Sequence, residues 1–300
     1  MYVILGATGH TGTVIANSLL EKKKKVRVVG RDNTRLATLT SRGAEAFTAN
    51  TTDEKALSRA FTGAEAVYVM IPPDLTNENY RGFQSQASNA IAGALESAGV
   101  KHAVTLSSFG ADKPDKTGPI AGLHEMETKL NAIKGLNVLH LRAGYFMENT
   151  LPQAGIIRNL GTMAGPVDAE VALPMIATRD IGAAAAEALL KLDFKGKQTH
   201  ELQGQRDINY KEVATIIGEV IGKPGLGYVR APDDQILQGM ISMGMSKNFA
   251  ELILEMANAI NRGHVKVLEP RSAKNATPTS YETFAREVFL PAYKGQGAGA

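Results

Sequence analysis

Short apolar runs alternate with helical patterns through the first half of the chain. The runs are rich in Val, Ile, Leu and Ala, and stretches with apolar residues at helical spacing separate them. The strands that the runs predict are Tyr2–Leu5, Val26–Val29, Ala44–Thr48, Ala66–Ile71, His102–Leu106 and Val138–Leu141. The helices predicted between them are Asn33–Leu39, Asp53–Phe61, Asn77–Ala98 and His124–Ile133. Because strand–helix–strand units cross over with one hand, this alternation predicts an α/β fold, a doubly wound parallel sheet with strand order 3-2-1-4-5-6.

The second half of the chain has a less regular pattern. It predicts a short strand at Val171–Pro174, an alanine-rich helix over Asp180–Leu190, a strand at His200–Leu202 and amphipathic helices beginning at Asn209 and spanning Phe249–Ile260. The glycine-rich end, residues 295–300, is predicted to be disordered. We expect two domains, one over residues 1–150 and a smaller mixed α/β domain over 151–300, with residues 176–205 returning to the first sheet.

A glycine-spaced turn follows the first strand and leads into the first helix. Residues 6–12 read Gly-Ala-Thr-Gly-His-Thr-Gly, the spacing G-x-x-G-x-x-G. Gly6 permits a tight turn, Gly9 lets backbone N–H groups approach a pyrophosphate, and Gly12 lets the helix pack close to the sheet. The residues of this turn that we expect to bind a dinucleotide are Gly6, Thr8, Gly9, His10, Thr11 and Gly12. The alternatives are a plain glycine-rich turn and, for His10, an exposed loop position.

The end of the second strand indicates which dinucleotide binds. Gly30-Arg31 stands where an Asp or Glu would bind the ribose hydroxyls of NAD, and Arg35 follows one helical turn later. A guanidinium suits a 2′-phosphate, although Asp32 follows immediately and weakens the case. The pattern favours NADP(H) over NAD(H), which stays possible, and surface arginines near a helix start are the alternative.

Composition narrows the class of protein further. The chain has 300 residues, 44% hydrophobic and 21% charged, with a net charge of +3. Its one basic run, Lys22–Lys25, falls at a predicted helix-to-strand corner, so no nucleic-acid partner is predicted. There is no cysteine, which excludes disulfides and thiolate metal sites, and no metal site is predicted. Without an apparent signal peptide or membrane-length apolar stretch, we expect a cytoplasmic protein without membrane contact.

Several segments beyond the glycine turn resemble one protein family. They are Met70-Ile71-Pro72-Pro73, Leu106-Ser107-Ser108, His124-x-x-Glu127-x-x-Leu130, Leu141–Asn149, Thr277-Pro278-Thr279 and Phe284–Glu287. Together with Gly6–Gly12 and Gly30-Arg31 they are similar to the NmrA-like family, atypical short-chain dehydrogenases/reductases. The resemblance implies a Rossmann domain that binds NADP(H), a smaller C-terminal substrate domain and a cleft between them. Because sites lie at the carboxyl ends of strands, we expect Met70, Ile71, Pro72 and Ser107 to contact the cofactor.

The usual catalytic pair of short-chain dehydrogenases is missing. None of the tyrosines has a lysine four residues later, and Leu123 stands where many NmrA-like relatives keep a lysine. The candidate catalytic residues are therefore His124, Ser107 and Tyr145. The alternatives are a helix-surface histidine at 124 and a turn serine at 107. Glu127 either orients His124 or faces solvent.

Two functions fit these residues. The first is an NADPH-dependent oxidoreductase that reduces a small apolar or aromatic acceptor, quinone-like or carbonyl. A quinone fits the missing Tyr/Lys pair, because its reduction needs little proton donation from the protein. The second is a non-catalytic NADP(H) sensor that acts through a regulatory protein partner. The protein is expected to act on a small molecule in the first case, and a homodimer is possible in either.

Overall fold

A parallel sheet with helices on both faces forms the centre of the protein. The computed structural model describes residues 1–296, so residues 297–300 of the glycine-rich end lie outside the described residues. The strands are β1 Tyr2–Leu5, β2 Val26–Gly30, β3 Glu45–Thr48, β4 Ala66–Val69, β5 His102–Ser108, β6 Asn137–Ala143, β7 Tyr145–Phe146, β8 Met163–Gly165, β9 Met175–Ile176, β10 Lys197–Leu202 and β11 Tyr228–Arg230. The α-helices are α1 His10–Glu21, α2 Asn33–Thr40, α3 Glu54–Phe61, α4 Tyr80–Ser97, α5 Ile120–Ala132, α6 Gln153–Leu160, α7 Thr178–Lys191, α8 Tyr210–Val220, α9 Asp233–Ser242, α10 Lys247–Asn261, α11 Tyr281–Phe284 and α12 Leu290–Tyr293. A 3₁₀ turn covers Met147–Thr150, and a π-helical segment, Ala285–Phe289, joins α11 to α12.

Seven parallel strands make up the main sheet. Their order is β10-β6-β5-β4-β1-β2-β3, so the predicted order 3-2-1-4-5-6 is confirmed and β10 extends it beyond β6. Two small parallel pairs, β7 with β9 and β8 with β11, lie outside this sheet. The doubly wound α/β class is confirmed.

Alternating side chains of the strands form two cores. The face of β1 and β4 that carries Ile4 and Tyr68 packs against α1 and α7. The opposite face, with Val3 and Val67, packs against α3, α4 and α5. α1 and α7 approach each other closely, because a Cβ built at Gly182 would lie 2.7 Å from the Cβ of Val14. α7, which is distant from α1 in the sequence, therefore covers the first helix.

The rest of the chain packs around a third core above the carboxyl ends of the strands. Its buried side chains come from α6, α8, β8, α11 and the π-helical segment. The helices α9 and α10 form a hairpin with a small cluster of their own around Met240 and Leu254. Ser246, the N-cap of α10, donates through its side chain to the carbonyl of Asn77 at 2.7 Å. The hairpin is thereby tied to the segment that follows β4.

Several local predictions were wrong. Val171–Pro174 is not a strand: Leu173 forms an isolated bridge with Ile208, and the strand begins one residue after Pro174, which has no N–H to donate. α5 begins at Ile120, four residues before the predicted start, because Pro119 fits at the N-cap of the helix. The strands β7, β8, β9 and β11 were not predicted, since runs of two or three residues carry no readable alternation.

Candidate cofactor and active site

The glycine turn has a defined geometry at each of its three glycines. Gly6 has φ +62°, a conformation that glycine adopts without strain, and its carbonyl accepts from the N–H of Gly9 at 2.9 Å. A Cβ at Gly12 would lie 2.3 Å from the oxygen of Gly6, so the packing role expected of Gly12 is confirmed. A Cβ at Gly9 would meet only that same oxygen, at 3.3 Å. The protein therefore leaves the outer side of Gly9 free.

The N-terminus of α1 presents unpaired backbone donors. Gly9 is the N-cap residue in an extended conformation and supplies no side-chain cap. The first helical hydrogen bond of α1 runs from Thr13 N to Gly9 O, so the preceding N–H groups have no acceptor within the helix. Such donors, together with the helix dipole, favour an anion.

The side chains of the turn point in different directions. Thr11 is buried, and its Oγ1 accepts from the Tyr68 hydroxyl of β4 at 3.0 Å, on the face of the sheet that α1 covers. His10 is exposed at the first position of α1. The side chain of Thr11 is thus engaged inside the protein, while Thr8 lines the cavity described next.

A cavity of about 540 Å³ lies over the carboxyl ends of β1, β2 and β4. It brings together seven of the predicted cofactor residues: Gly6, Thr8, Gly9, Arg31, Arg35, Met70 and Pro72. The predicted residues that do not line it are His10, Thr11, Gly12, Ile71 and Ser107. Sequence reasoning missed Ala49, Thr51 and Pro73, which also line it. Ala49 and Thr51 follow β3. Their position at the carboxyl end of a predicted strand is the feature of the sequence that could have identified them.

The two arginines of the cavity have no ion-pair partner within residues 1–296, and both are exposed. Asp32, which separates them, caps α2: its Oδ1 accepts from the N–H of Thr34 at 2.8 Å and from the hydroxyl of Thr34. These hydrogen bonds lower the pKa of Asp32. The carboxylate is therefore partnered within its own turn, whereas both guanidinium groups are available to an anion.

A paired network lies at the ends of β5 and β6. Glu127 of α5 is buried; its Oε1 accepts from Ser107 Oγ at 2.6 Å and Arg142 Nε at 3.0 Å, and its Oε2 accepts from Arg142 Nη2 at 2.6 Å. Neither alternative expected for Glu127 holds, since it contacts neither His124 nor solvent. Ser107 gives its only hydroxyl proton to Glu127, so towards a ligand its oxygen acts as an acceptor.

His124 is held by a carbonyl instead. Its Nδ1 lies 2.8 Å from the oxygen of Ala111. A carbonyl only accepts, so we assign the proton to Nδ1, which leaves Nε2 of the neutral ring as an acceptor. His124 lies on α5, and its partly exposed ring faces the loop between β5 and α5. Its orientation is thus fixed by the backbone of that loop.

Tyr145 lies just beyond β6, and its ring meets that of Tyr210 edge-on. The Tyr210 hydroxyl donates to the Tyr145 hydroxyl at 3.3 Å, with the two rings at 80°. Tyr210 in turn stacks on Tyr228 with centroids 4.4 Å apart. Burial raises the pKa of both Tyr145 and Tyr210, so both stay protonated at neutral pH. Sequence reasoning identified Tyr145 and missed its two neighbours.

Two carboxylates join distant segments near this site. Glu148 accepts from the N–H of Thr178 at 3.0 and 3.1 Å and from its hydroxyl at 2.6 Å, which caps the start of α7. Asp180 accepts from the N–H of Thr279 at 3.0 Å and from its hydroxyl at 2.8 Å. These contacts give a structural reason for two segments that carry the family resemblance, around residue 148 and at residues 277–279.

Within residues 1–296, no helix is long and apolar enough to cross a membrane. Over the same residues, no three His, Asp or Glu side chains are grouped in a way that would hold a metal ion.

Comparison with known proteins gives the family. The model of the NmrA-like family matches residues 2–286, and the chain belongs to that family. Among curated proteins, it is 29% identical over 260 residues to an NAD(P)H azoreductase of Xenophilus azovorans, covering 85% of this chain and 86% of the relative.

Solved structures share the fold over nearly the whole chain. The NADPH-dependent quinone oxidoreductase QOR2 of Escherichia coli, complexed with NADPH, matches with a TM-score of 0.81 and 22% identity over 96% of this chain and 100% of its own. The triphenylmethane reductase of Citrobacter sp., complexed with NADP(H), matches with a TM-score of 0.77 and 19% identity, over 94% and 98% of the two chains. By name, the three proteins are an azoreductase, a quinone oxidoreductase and a triphenylmethane reductase.

Proposed function

We propose that this protein is an NADP(H)-dependent oxidoreductase that reduces a small, flat, quinone-like acceptor. The observation that carries the proposal is the cavity beside β1. It brings the N-terminus of α1, whose first N–H groups have no acceptor within the helix, together with Arg31 and Arg35, which have no ion-pair partner within residues 1–296. Such donors suit a pyrophosphate and a 2′-phosphate at opposite ends of one ligand. The names of the azoreductase, quinone oxidoreductase and triphenylmethane reductase support the same chemistry.

Residues of this chain divide the work of holding the cofactor. The N–H groups after Gly9 bind the pyrophosphate, Arg31 and Arg35 bind the 2′-phosphate, and Thr51 borders the adenine end. Met70 and the prolines after it lie towards the nicotinamide end, at the carboxyl end of β4. When bound, NADPH supplies a hydride, and the protein contributes binding and orientation.

The acceptor lies in the cleft beyond β5 and β6 in this proposal. Tyr145 contacts it and His124 borders it, while Ser107 offers only a hydroxyl oxygen because Glu127 takes its proton. No group here is arranged as a Tyr–Lys acid. A quinone suits such a cleft, because water can supply the proton that completes its reduction.

We also propose a division of labour along the chain. Residues 1–150 form the cofactor-binding domain, joined by residues 176–205, which supply α7 and the edge strand β10. The remainder of 151–300 forms the smaller substrate domain. A cytoplasmic location and a homodimer are further expectations that follow from composition and family, and they stay predictions.

A non-catalytic NADP(H) sensor is the second candidate. The observation that favours it is the closed Ser107–Glu127–Arg142 network, in which Ser107 has no proton left to donate. Leu123 of α5, at the position where many relatives keep a lysine, offers no proton donor either. A sensor would bind the cofactor equally well, and it would need a protein partner whose affinity differs between the NADPH and NADP⁺ forms.

The deciding experiment measures NADPH oxidation with a panel of quinones, azo dyes, triphenylmethane dyes and aldehydes. Cofactor affinity is measured alongside, and Gly9→Val serves as a matched variant that folds without a cofactor site. We expect quinones or dyes to be reduced by the wild-type protein and not by the variant. NADPH binding without oxidation by any acceptor would overturn the oxidoreductase and leave the sensor.

A further inference from the structure

Three tyrosines pack in a row next to the proposed acceptor site: Tyr210 stacks on Tyr228 and meets the ring of Tyr145 edge-on. Tyr145 is fixed at its backbone: its N–H donates to the carbonyl of Pro174 at 3.1 Å, and a Cβ at the preceding Gly144 would lie 2.1 Å from that same oxygen. Tyr210 begins α8, whose start is held by a capping box between Asn209 and Glu212. The position of both hydroxyls is thus set by well-anchored backbone.

The hydroxyl protons of this group have one satisfactory arrangement. Tyr210 is buried, and within residues 1–296 the Tyr145 oxygen is the one hydrogen-bond partner of its hydroxyl. If Tyr145 donated to Tyr210 instead, the Tyr210 proton would be buried without an acceptor, which is costly. Tyr228 offers no acceptor in exchange, because its own hydroxyl donates to the carbonyl of Val167 at 2.7 Å. The proton of the partly exposed Tyr145 is therefore left for a ligand or for the exposed side chain of Asn149, which lies beside the Tyr145 hydroxyl.

Tyr145 is also in the right place to meet an acceptor. Ser108 and Ala143 are register partners at the ends of β5 and β6, and Tyr145 follows two residues later at the same edge of the sheet. Active sites of such sheets lie beyond this edge. An outward O–H at this place offers a hydrogen bond to whatever is reduced there.

We propose that Tyr210 is a positioning residue that, by donating to Tyr145, aims the Tyr145 O–H at the carbonyl oxygen or azo nitrogen of the acceptor. The inference rests on the proposed function and deepens it: acceptors need a hydrogen-bond acceptor atom beside the reacting centre. The hydride reduces the acceptor, Tyr145 stabilises the negative charge that develops on the acceptor atom, and water supplies the proton that completes the product. Tyr145 keeps its own proton throughout, as its raised pKa requires.

The test compares three single variants that keep the aromatic rings. Tyr145→Phe should lower kcat/KM for 1,4-naphthoquinone by about 10- to 100-fold, because a hydrogen bond to developing charge is lost. Tyr210→Phe should lower it by about three- to tenfold, as expected for a misdirected donor. Tyr228→Phe is the matched control, since it keeps the stack and removes a hydroxyl that does not touch Tyr145; its kinetics should equal the wild type within about twofold. Thermal melting confirms that each variant is folded.

The double variant Tyr145→Phe/Tyr210→Phe provides the decisive result. If Tyr210 acts through Tyr145, the double variant is no slower than Tyr145→Phe alone. Multiplied losses, or a Tyr210→Phe variant indistinguishable from Tyr228→Phe, would overturn the positioning role while wild-type turnover still supports the proposed function.

A binding measurement separates the two proposals if no turnover occurs. The dissociation constant of 1,4-naphthoquinone is measured with the NADP⁺ complex, which has no hydride to transfer. Binding weakened by Tyr145→Phe and Tyr210→Phe, and not by Tyr228→Phe, would keep the positioning role and overturn catalysis alone. Absence of both turnover and binding would overturn both proposals.

Discussion

The two sides of the candidate site differ in how their polar groups are partnered. Around the glycine turn, the first N–H groups of α1 have no acceptor within the helix, and the guanidinium groups of Arg31 and Arg35 have no ion-pair partner in the part of the chain that the structure describes. Beside β5 and β6, by contrast, Ser107, Glu127 and Arg142 satisfy one another in a buried network. Both sets of residues lie at the same edge of one sheet and are typical of functional positions.

This difference indicates which residues bind ligands and which maintain the fold. Unpartnered donors in an open cavity gain free energy only from a ligand, so changing them alters affinity and leaves stability nearly unchanged. A closed buried network contributes its free energy to folding, so changing it alters stability first. Residue type alone does not separate ligand-binding residues from structural ones, because Arg31 lines the open cavity and Arg142 belongs to the buried network.

The largest effect is expected from Gly9→Val. The outer side of Gly9 is free and its φ is −86°, so valine fits the fold, but its methyl groups occupy the space of the pyrophosphate. Loss of two or more charge-assisted hydrogen bonds weakens NADPH binding by about 1,000-fold or more, measured by calorimetry. Gly12→Val, whose Cβ would strike the Gly6 oxygen, should instead lower the melting temperature. Unchanged NADPH affinity in Gly9→Val would mean that the cofactor lies elsewhere.

The next effect concerns stability, through Glu127→Ala. Removing the carboxylate leaves the mostly buried Arg142 without its partner, which should lower the free energy of unfolding by about 3–5 kcal/mol in urea titrations. The control is Glu125→Ala on the same helix, whose partly exposed pairs with Arg81 and Lys129 predict a loss below about 1 kcal/mol. Equal losses in the two variants would contradict the closed-network interpretation.

Acid should destabilise the network side through His140. Burial lowers the pKa of this β6 histidine from 6.5 to about 4. Between pH 6.5 and about 4 the unfolded chain binds the proton and the folded chain does not. His140 therefore has no effect on the free energy of unfolding above pH 6.5 and lowers it as the pH falls towards 4. The contribution lost is about 3 kcal/mol. Urea titrations of His140→Gln from pH 7 to pH 5 should show a shallower fall, and an identical slope would refute the role of His140.

Arg31→Ala should separate the two nicotinamide cofactors. We expect NADPH affinity to fall by roughly 10- to 150-fold, the equivalent of about 1.5–3 kcal/mol, with NADH affinity little changed. Arg42→Ala, an exposed arginine paired with Glu21 outside the cavity, is the control and should change neither affinity. A parallel loss for NADPH and NADH would exclude a role of Arg31 at the 2′-phosphate.

The smallest effect is expected from His124→Ala. If solvent is the main proton source, kcat for a quinone should fall by less than about tenfold. His124→Gln, which retains an amide to donate to the Ala111 carbonyl, should fall less still. A loss of about 100-fold or more in both variants would identify His124 as a general acid and place it with the ligand-binding residues.

The parts of the fold and of the candidate site that the sequence predicts are those determined by short-range patterns. The glycine turn, Arg31 and the six strands follow from short-range patterns, and Gly6, Thr8 and Gly9 of that turn line one cavity with Arg31. β10 was predicted as His200–Leu202 and begins at Lys197, because its first residues are exposed at the sheet edge and carry no apolar pattern. Such edge residues are set by pairing with β6 rather than by their own composition.

The network beside β5 could not be predicted in the same way. Glu127 and Ser107 are 20 residues apart, and Arg142 is a further 15 residues along. Which way Glu127 points depends on the start of α5 at Ile120 and on the register of β5 with β6, both of which are tertiary facts. Tyr210 shows the same limit, since 65 residues separate it from Tyr145.

The packing of α7 on α1 has a consequence for synthesis of the protein on the ribosome. The glycine turn and α1 emerge before α7, yet Ile15 and Leu19 of α1 are buried against Ile181 and Ala185 of α7. A nascent chain that has not reached the end of α7 at Lys191 therefore exposes that apolar stripe. Because such exposed surface favours aggregation, the proposed cofactor site is protected only once α7 has been synthesised and packs on α1.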